Sequence, residues 1–443
     1  MRPVLFVFVF LLIMPLVNAA SDDVLKSPLN APPITGQLKL GYHFEQSNFA
    51  TEVKETATKL TLQEALNLAL SASPELAVAL RERQAIEGIK TNAGIRPNPS
   101  ISTFIQDARG ATRQTTLQFN QEIELGNKRN TRLEAADSFY RKATAELESK
   151  KADVHANVIA AFYEVLASQE RLSLAKSSLE VANLVLDATT KRVKAGKSSP
   201  VEETKSKIAE STAKIEMFQA NSQLNSSRKR LSAIWGNTLP IFESAEGQVE
   251  YIPTNGDLSE LSAMLQNAPA IKVAKSEVEA RENMAEVERS KAAINITLSA
   301  GVVNNQELGL NQAIIGLSVP IPLFDRNQGN LQEAVSRIYK AQDELVALEN
   351  QLLANLASQY ERLNAARQTT ISLSTEILPG AQSAFDATNK GFNAGKFNFL
   401  DVLDAQRTLF QAKSQYIQVL LEAHQAIAEI ERIVGDVFLH QIN

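Results

Sequence analysis

The sequence holds no cysteine among its 443 residues. A disulfide framework, a thiolate metal site and a cysteine nucleophile are therefore excluded. So is a lipid anchor on a mature N-terminal cysteine. Histidine is scarce. His43, His155, His424 and His440 show no i, i+4 spacing, so no histidine metal site is expected. Aromatic residues make up only 6%, which favours long helices with narrow seams over a thick globular core. An excess of basic charge is also missing: the net charge is −5, which argues against nucleic acid as a partner. No glycine-rich phosphate loop is present, and acid pairs sit on helices rather than across a cleft. An enzyme is not expected, nor is a cofactor. Beyond the N-terminus there is no run of about 18 or more apolar residues, hence no membrane-spanning helix.

What is present begins with an export signal. Arg2 supplies a positive start, Val4 to Val17 is apolar apart from Pro15, and Val17-Asn18-Ala19 fits a small-residue cleavage site. Residues 1–19 are read as this signal peptide and 20–57 as a polar leader arm. With 44% hydrophobic residues the mature chain can pack a core. It has room for two or three ordinary domains or one elongated one.

The chain then repeats itself. Pro74 and Pro269 are 195 apart; Ile123-Glu124-Leu125 and Ile321-Pro322-Leu323 are 198 apart. Ala195-Gly196-Lys197 and Ala394-Gly395-Lys396 are 199 apart, as are Ile234-Trp235-Gly236 and Ile433-Val434-Gly435. Four matches in register predict a duplication. The first repeat covers 58–240, a linker 241–257, the second repeat 258–436 and a tail 437–443. Each repeat runs helix, two strands, very long helix, glycine turn, returning helix. Strands are expected near 100–107, 114–125, 294–303 and 312–323. Long hairpins are expected over 128–236 and 328–434, with Pro379-Gly380 as a candidate kink. Val158, Val165, Leu172, Leu179, Leu186 and Val193 recur every seven residues, with Ala161, Ser168, Ala175, Ala182 and Thr189 three later. Ile371, Leu378, Phe385 and Phe392, with Ser374, Ala381 and Thr388, repeat the pattern. This is a coiled-coil seam.

The strands alternate. Leu117, Phe119, Ile123 and Leu125 share one face, broken by Gln121, against Gln118, Asn120, Glu122 and Glu124. Ile296, Leu298, Ala300 and Val302, and the odd-numbered residues from Ala313 to Leu323, do the same. A membrane barrel requires this period, and a half-buried sheet in a soluble domain shares it. Four strands cannot close a barrel, since about eight is the practical minimum. In lipid an open edge is not tolerated, so strands would be pooled among copies. A periplasmic coiled-coil adaptor or structural protein is the alternative.

Over about Leu60 to Gly435 this plan resembles the TolC family of outer-membrane efflux ducts. Glu124-Leu125-Gly126-Asn127-Lys128-Arg129, and Val319-Pro320-Ile321-Pro322-Leu323-Phe324-Asp325-Arg326-Asn327-Gln328-Gly329, are similar to segments of its heavy-metal, cobalt–zinc–cadmium branch. Phe399-Leu400-Asp401-Val402-Leu403-Asp404-Ala405-Gln406 is similar to the family's tip-proximal motif. The resemblance implies a mainly α fold with a membrane β-barrel: a homotrimer with twelve pooled strands and a twelve-helix periplasmic tunnel. It implies outer-membrane lipid around the barrel. It also implies a periplasmic adaptor (membrane fusion protein) and an inner-membrane resistance–nodulation–division (RND) pump as partners, with divalent heavy-metal cations as one cargo. Asp401, Asp404 and the equivalent Glu202 would ring the closed periplasmic mouth. The hairpin turns would take the adaptor, with Arg192, Gly196, Lys197, Lys390, Gly395 and Lys396 as candidate contacts and Lys194 beside them. Interaction of Asp401 and Asp404 with the helix dipole, and capping of the turns by the two glycines, explains these residues equally simply.

Overall fold

The computed structural model describes residue 55 and residues 58–107, 110–253 and 256–435. The expected signal peptide with its cleavage site, nearly all of the leader, and the tail 437–443 lie outside the described residues.

The first repeat opens with β1 (Lys59–Thr61), α1 (Leu62–Ala72) and α2 (Pro74–Ala93). Thr61 and Glu64 form a capping box: the Thr61 hydroxyl accepts from the Glu64 amide at 3.3 Å, and the Thr61 amide donates to the Glu64 carboxylate at 2.9 Å. Pro74 starts α2 at the position where its missing N–H costs nothing. A hairpin follows, β2 (Ser100–Gln106) and β3 (Gln114–Ile123), then α3 (Lys128–Lys194) and α4 (Pro200–Ala233). With 67 residues and neither proline nor glycine, α3 is roughly 100 Å long. A short strand β4 (Ser244–Glu246) pairs in parallel with β1 inside the expected linker. The second repeat holds α5 (Leu258–Met264), a 3₁₀ turn, α6 (Pro269–Lys291), β5 (Ile296–Asn305), β6 (Leu310–Ser318), α7 (Gln328–Ser372), a π turn (Leu373–Ile377), α8 (Leu378–Asn393) and α9 (Phe399–Val434).

Duplication extends to the packing. Val158 and Val165 of α3 are wholly buried, and so are Leu356 and Leu363 of α7, 198 residues on. The first pair packs with Leu60, Leu66, Phe162, Leu231 and Trp235. The second packs with Leu261, Ile271, Leu373, Ile427 and Ile430. Each helical hairpin therefore has its own core part-way along its long helices, well away from the four-stranded sheet, and α3 joins the two by packing on α4, α6 and α9.

Two expectations need correction. β6 ends at Ser318 rather than near 323, because Pro320 and Pro322 have no N–H to give a ladder. The second long helix is interrupted at Leu373–Ile377, ahead of Pro379-Gly380. In a regular helix the ring of Pro379 would press on the carbonyl four residues back, that of Thr375, and the wide turn surrounds that residue. The extra residue shifts the seam: Ile371 is 53% exposed, whereas Leu373 is fully buried.

Candidate functional site

Two places concentrate what the fold does not use for its own core: the sheet and the far ends of the hairpins. The sheet is antiparallel in the order β2-β3-β5-β6. Its register sets Ile101, Phe119, Ala300 and Ile315 side by side, and Thr103, Leu117, Val302 and Ala313 beside them. Ile101 is 73% exposed and Ile315 89%. The other face carries Ser100, Asn120, Ser299 and Gly316 in one rung, and Ser102, Gln118, Gly301 and Ile314 in the next. Side chains there bond across strands. Asn120 donates to the Ser102 hydroxyl at 3.0 Å and accepts from Ser299 at 2.8 Å. Asn295 donates to Glu122 at 2.6 Å and accepts from Lys128 at 2.6 Å. Phe104, Val303, Leu310 and Ile314 are the apolar exceptions on this face. The outer edges of β2 and β6 have no partner strand among the described residues.

Each hairpin strand pair hands over to its long helix at a corner. Asn127 (φ 62°) and Asn327 (φ 60°) are left-handed and precede α3 and α7. Asn tolerates that conformation better than most residues. In the first corner Glu124 is held in an ion pair with Arg132, whose guanidinium keeps the carboxyl below the usual range. Gly126 (φ 72°) lies against Ala293.

At the far end both hairpins close with the same turn. Lys197 N–H donates to Arg192 O at 2.8 Å and Gly196 N–H to Val193 O at 2.9 Å. Lys396 N–H donates to Gly391 O at 2.8 Å and Gly395 N–H to Phe392 O at 3.0 Å. These paired bonds need a left-handed glycine, and Gly196 (φ 69°) and Gly395 (φ 74°) supply it. Lys197, Lys390 and Lys396 are exposed. Arg192 is not a free tip cation: it lies over the Phe392 ring, 4.6 Å from the centroid, and links the two hairpins. Val185, Phe392, Phe399 and Val402 pack beneath it. Asp401 accepts from the Asn398 amide at 2.9 Å, and its own amide donates to the Asn398 side chain at 3.0 Å. Asp401 thus caps α9. Asp404 is exposed one turn later, and Glu202 stands half-buried in the first turn of α4.

Sequence reasoning missed a buried ring stack between the hairpins. His424 of α9 lies on Tyr163 of α3, centroids 3.5 Å apart, and its Nε2 is 2.8 Å from Val249 O. Burial pulls its pKa down to about 4. The folded state then holds fewer protons than the unfolded chain between pH 6.5 and 4. Stability is expected to fall by about 1.4 kcal/mol per pH unit across that window on acidification. His424→Phe should flatten the slope in chemical denaturation at pH 7, 6 and 5. Parallel slopes for both proteins would contradict this. Among the described residues no cluster of metal-ligating groups occurs, and no helix is long and apolar enough to cross a membrane.

The sequence pattern of the outer membrane efflux protein family matches residues 65–237 and again residues 261–436. The chain belongs to that family. Its two matched stretches are the two repeats, each with one pair of long strands and one long hairpin. The cobalt-zinc-cadmium resistance protein CzcC of Cupriavidus metallidurans is 41% identical over 382 residues, 86% of this chain and 91% of that one. The nickel-cobalt-cadmium resistance protein NccC of Alcaligenes xylosoxydans xylosoxydans is 26% identical over 313 residues, 69% of this chain and 68% of that one. The solved outer membrane protein VceC of Vibrio cholerae has the same fold, with a TM-score of 0.72 at 19% identity over 85% of this chain and 96% of that one. The efflux family is one of outer-membrane ducts rather than catalysts, and the four-stranded sheet with the hairpins beneath it is its architecture.

Proposed function

We propose that three copies of this chain pool their sheets into one outer-membrane barrel, continued by their hairpins as a periplasmic tunnel. The assembly is the exit duct of a tripartite efflux system and conducts its cargo passively, without catalysis or a cofactor. The open sheet carries this reading: among the described residues both outer strands have unpaired edges, and one face is apolar and exposed. In hydrocarbon an edge must meet another edge. Two copies give about eight strands, filled by their own side chains; three give about twelve and leave a lumen. The Ser102–Asn120–Ser299 face would line that lumen. Heat-modifiable trimers in the outer-membrane fraction, conducting ions in planar bilayers, are the expected result. A water-soluble monomer without affinity for detergent would sink the proposal.

The cargo is a divalent heavy-metal cation, a reading supported by the resistance named for CzcC and NccC. Deletion should sensitise cells to zinc, cobalt or cadmium; unchanged tolerance of all three would redirect the search to other solutes. An adaptor bound to an RND pump docks at the hairpin turns, on Gly196, Lys197, Lys390, Gly395 and Lys396. Arg192 holds the two turns together from behind.

The gate is the acidic mouth. Asp401, Asp404 and Glu202 stand at the starts of the returning helices, so each would recur three times around the axis. Such rings favour cations and bind multivalent ones that block the pore. The π turn and Gly380, which has open space around it, make the second hairpin the one that bends. Asp401→Ala with Asp404→Ala is expected to raise single-channel conductance and weaken multivalent block. Asp404→Asn leaves the Asp401 cap intact and should act in the same direction. Unaltered conductance and block in both variants would remove the acids from the gate.

A further inference from the structure

The two corners between sheet and long helix should match, and they do not. Ile123 pairs with Ile321 and Leu125 with Leu323, each 198 apart, whereas the left-handed Asn127 and Asn327 are 200 apart. The second corner is therefore two residues longer. The first corner folds down: Gly126 sits on Ala293, and Glu124 is tied to Arg132. The second stands out. Val319 is 43% exposed, Ile321 77%, Leu323 65% and Phe324 89%.

In the sequence Val319, Ile321 and Leu323 continue the alternation of Ala313, Ile315 and Leu317, so exposed apolar residues run on past the last ladder rung. Part of the backbone there is satisfied without water. Pro320 and Pro322 have no donor. Leu323 N–H donates to Ile321 O at 2.9 Å, Arg326 Nε to Pro322 O at 3.4 Å, and Gln328 Nε2 to Phe324 O at 3.3 Å. Three carbonyls of the loop are thus occupied by the loop itself. Two exposed charged residues follow the apolar stretch: Asp325, whose carboxylate accepts from the Asn327 amide at 2.9 Å, and then Arg326.

We propose that residues 319–326 form an interfacial anchor: Ile321, Leu323 and Phe324 sit in the periplasmic leaflet of the outer membrane, with Arg326 at the phospholipid headgroups. An apolar tip that satisfies half of its own carbonyls suits the acyl boundary, and the charged pair Asp325–Arg326 beyond it suits the zwitterionic and anionic headgroups. Continuity with the lipid-facing stripe selects lipid over a second copy. If the corners of neighbouring copies packed as the two corners of one chain do, only the part equivalent to Gly126 would be covered; the two extra residues would remain outside. The anchor rests on the barrel reading above and fixes the depth and orientation of the trimer.

The absence of cysteine makes the test direct. Phe324→Cys, Ile315→Cys and, as an aqueous control, Leu184→Cys in α3 each receive one nitroxide label. The full-length trimer is reconstituted in phosphatidylethanolamine–phosphatidylglycerol vesicles. Collision with oxygen, relative to collision with a water-soluble nickel chelate, should be several times greater at 324 than at 184. Position 315 should lie deeper still. A label at 324 as open to nickel as the one at 184 overturns the anchor. So does a label shielded from both reagents, which would place the loop against the next copy. A label at 315 open to nickel would instead overturn the barrel reading, and the anchor with it.

Discussion

Ile315→Lys is expected to abolish stable insertion. Ile315 lies mid-way along β6, is 89% exposed, and shares its rung with Ile101, Phe119 and Ala300. A lysine on a lipid-facing strand near the bilayer midplane costs about 2–4 kcal/mol. Three copies in one barrel would triple that, to about 6–12 kcal/mol per trimer, as much as a typical domain's whole stability. Gln118→Lys is the matched control. Gln118 stands on the opposite face, beside Ser102 and Gly301. A lysine there would meet water in the lumen and should leave assembly intact while shifting ion selectivity away from cations. The readout is heat-modifiable trimer in the outer-membrane fraction. Equal yields of the two variants, or loss in Gln118→Lys alone, would mean that the faces have been assigned the wrong way round.

How far the sequence leads depends on the length of the signal. Period 2 over ten residues marks β3, and period 7 from Val158 to Val193 marks α3, because many side chains must agree. β1 and β4 have three residues each, too few to show any period, and they were invisible. Register in the seam is subtler. Counting back in sevens from Thr388 through Ala381 reaches Ser374, yet the π turn adds one residue and puts Leu373 in the core instead. Pro379-Gly380 marks a break without saying which turn absorbs it. Arg192 looks like a solvated cation until the second hairpin brings Phe392 beneath it. The His424–Tyr163 stack spans 261 positions and leaves no local trace. Asn127 and Asn327 stand in the sequence only as members of two longer motifs, and their left-handed conformation emerges from the structure.

Gly126 concentrates the cost of a single methyl group. Its φ of 72° is left-handed, where an L side chain loses about 1–2 kcal/mol. A Cβ there would fall 2.1 Å from the Ala293 Cβ and 3.3 Å from Ser290 O. Neither neighbour is the free end of a flexible chain, so β3–α3 and α6–β5 would have to move apart. Overpacking of this kind costs about 1–3 kcal/mol. Gly126→Ala should therefore destabilise each copy by about 2–5 kcal/mol. Gly196→Ala separates the two contributions: its φ is 69°, yet nothing lies within 4 Å of the added atom. It should lose only the backbone part, about 1–2 kcal/mol. Denaturant midpoints of the two purified variants decide the matter. A Gly126→Ala loss no larger than that of Gly196→Ala would mean that the corner yields freely, and that the strands are not held rigidly over the tunnel.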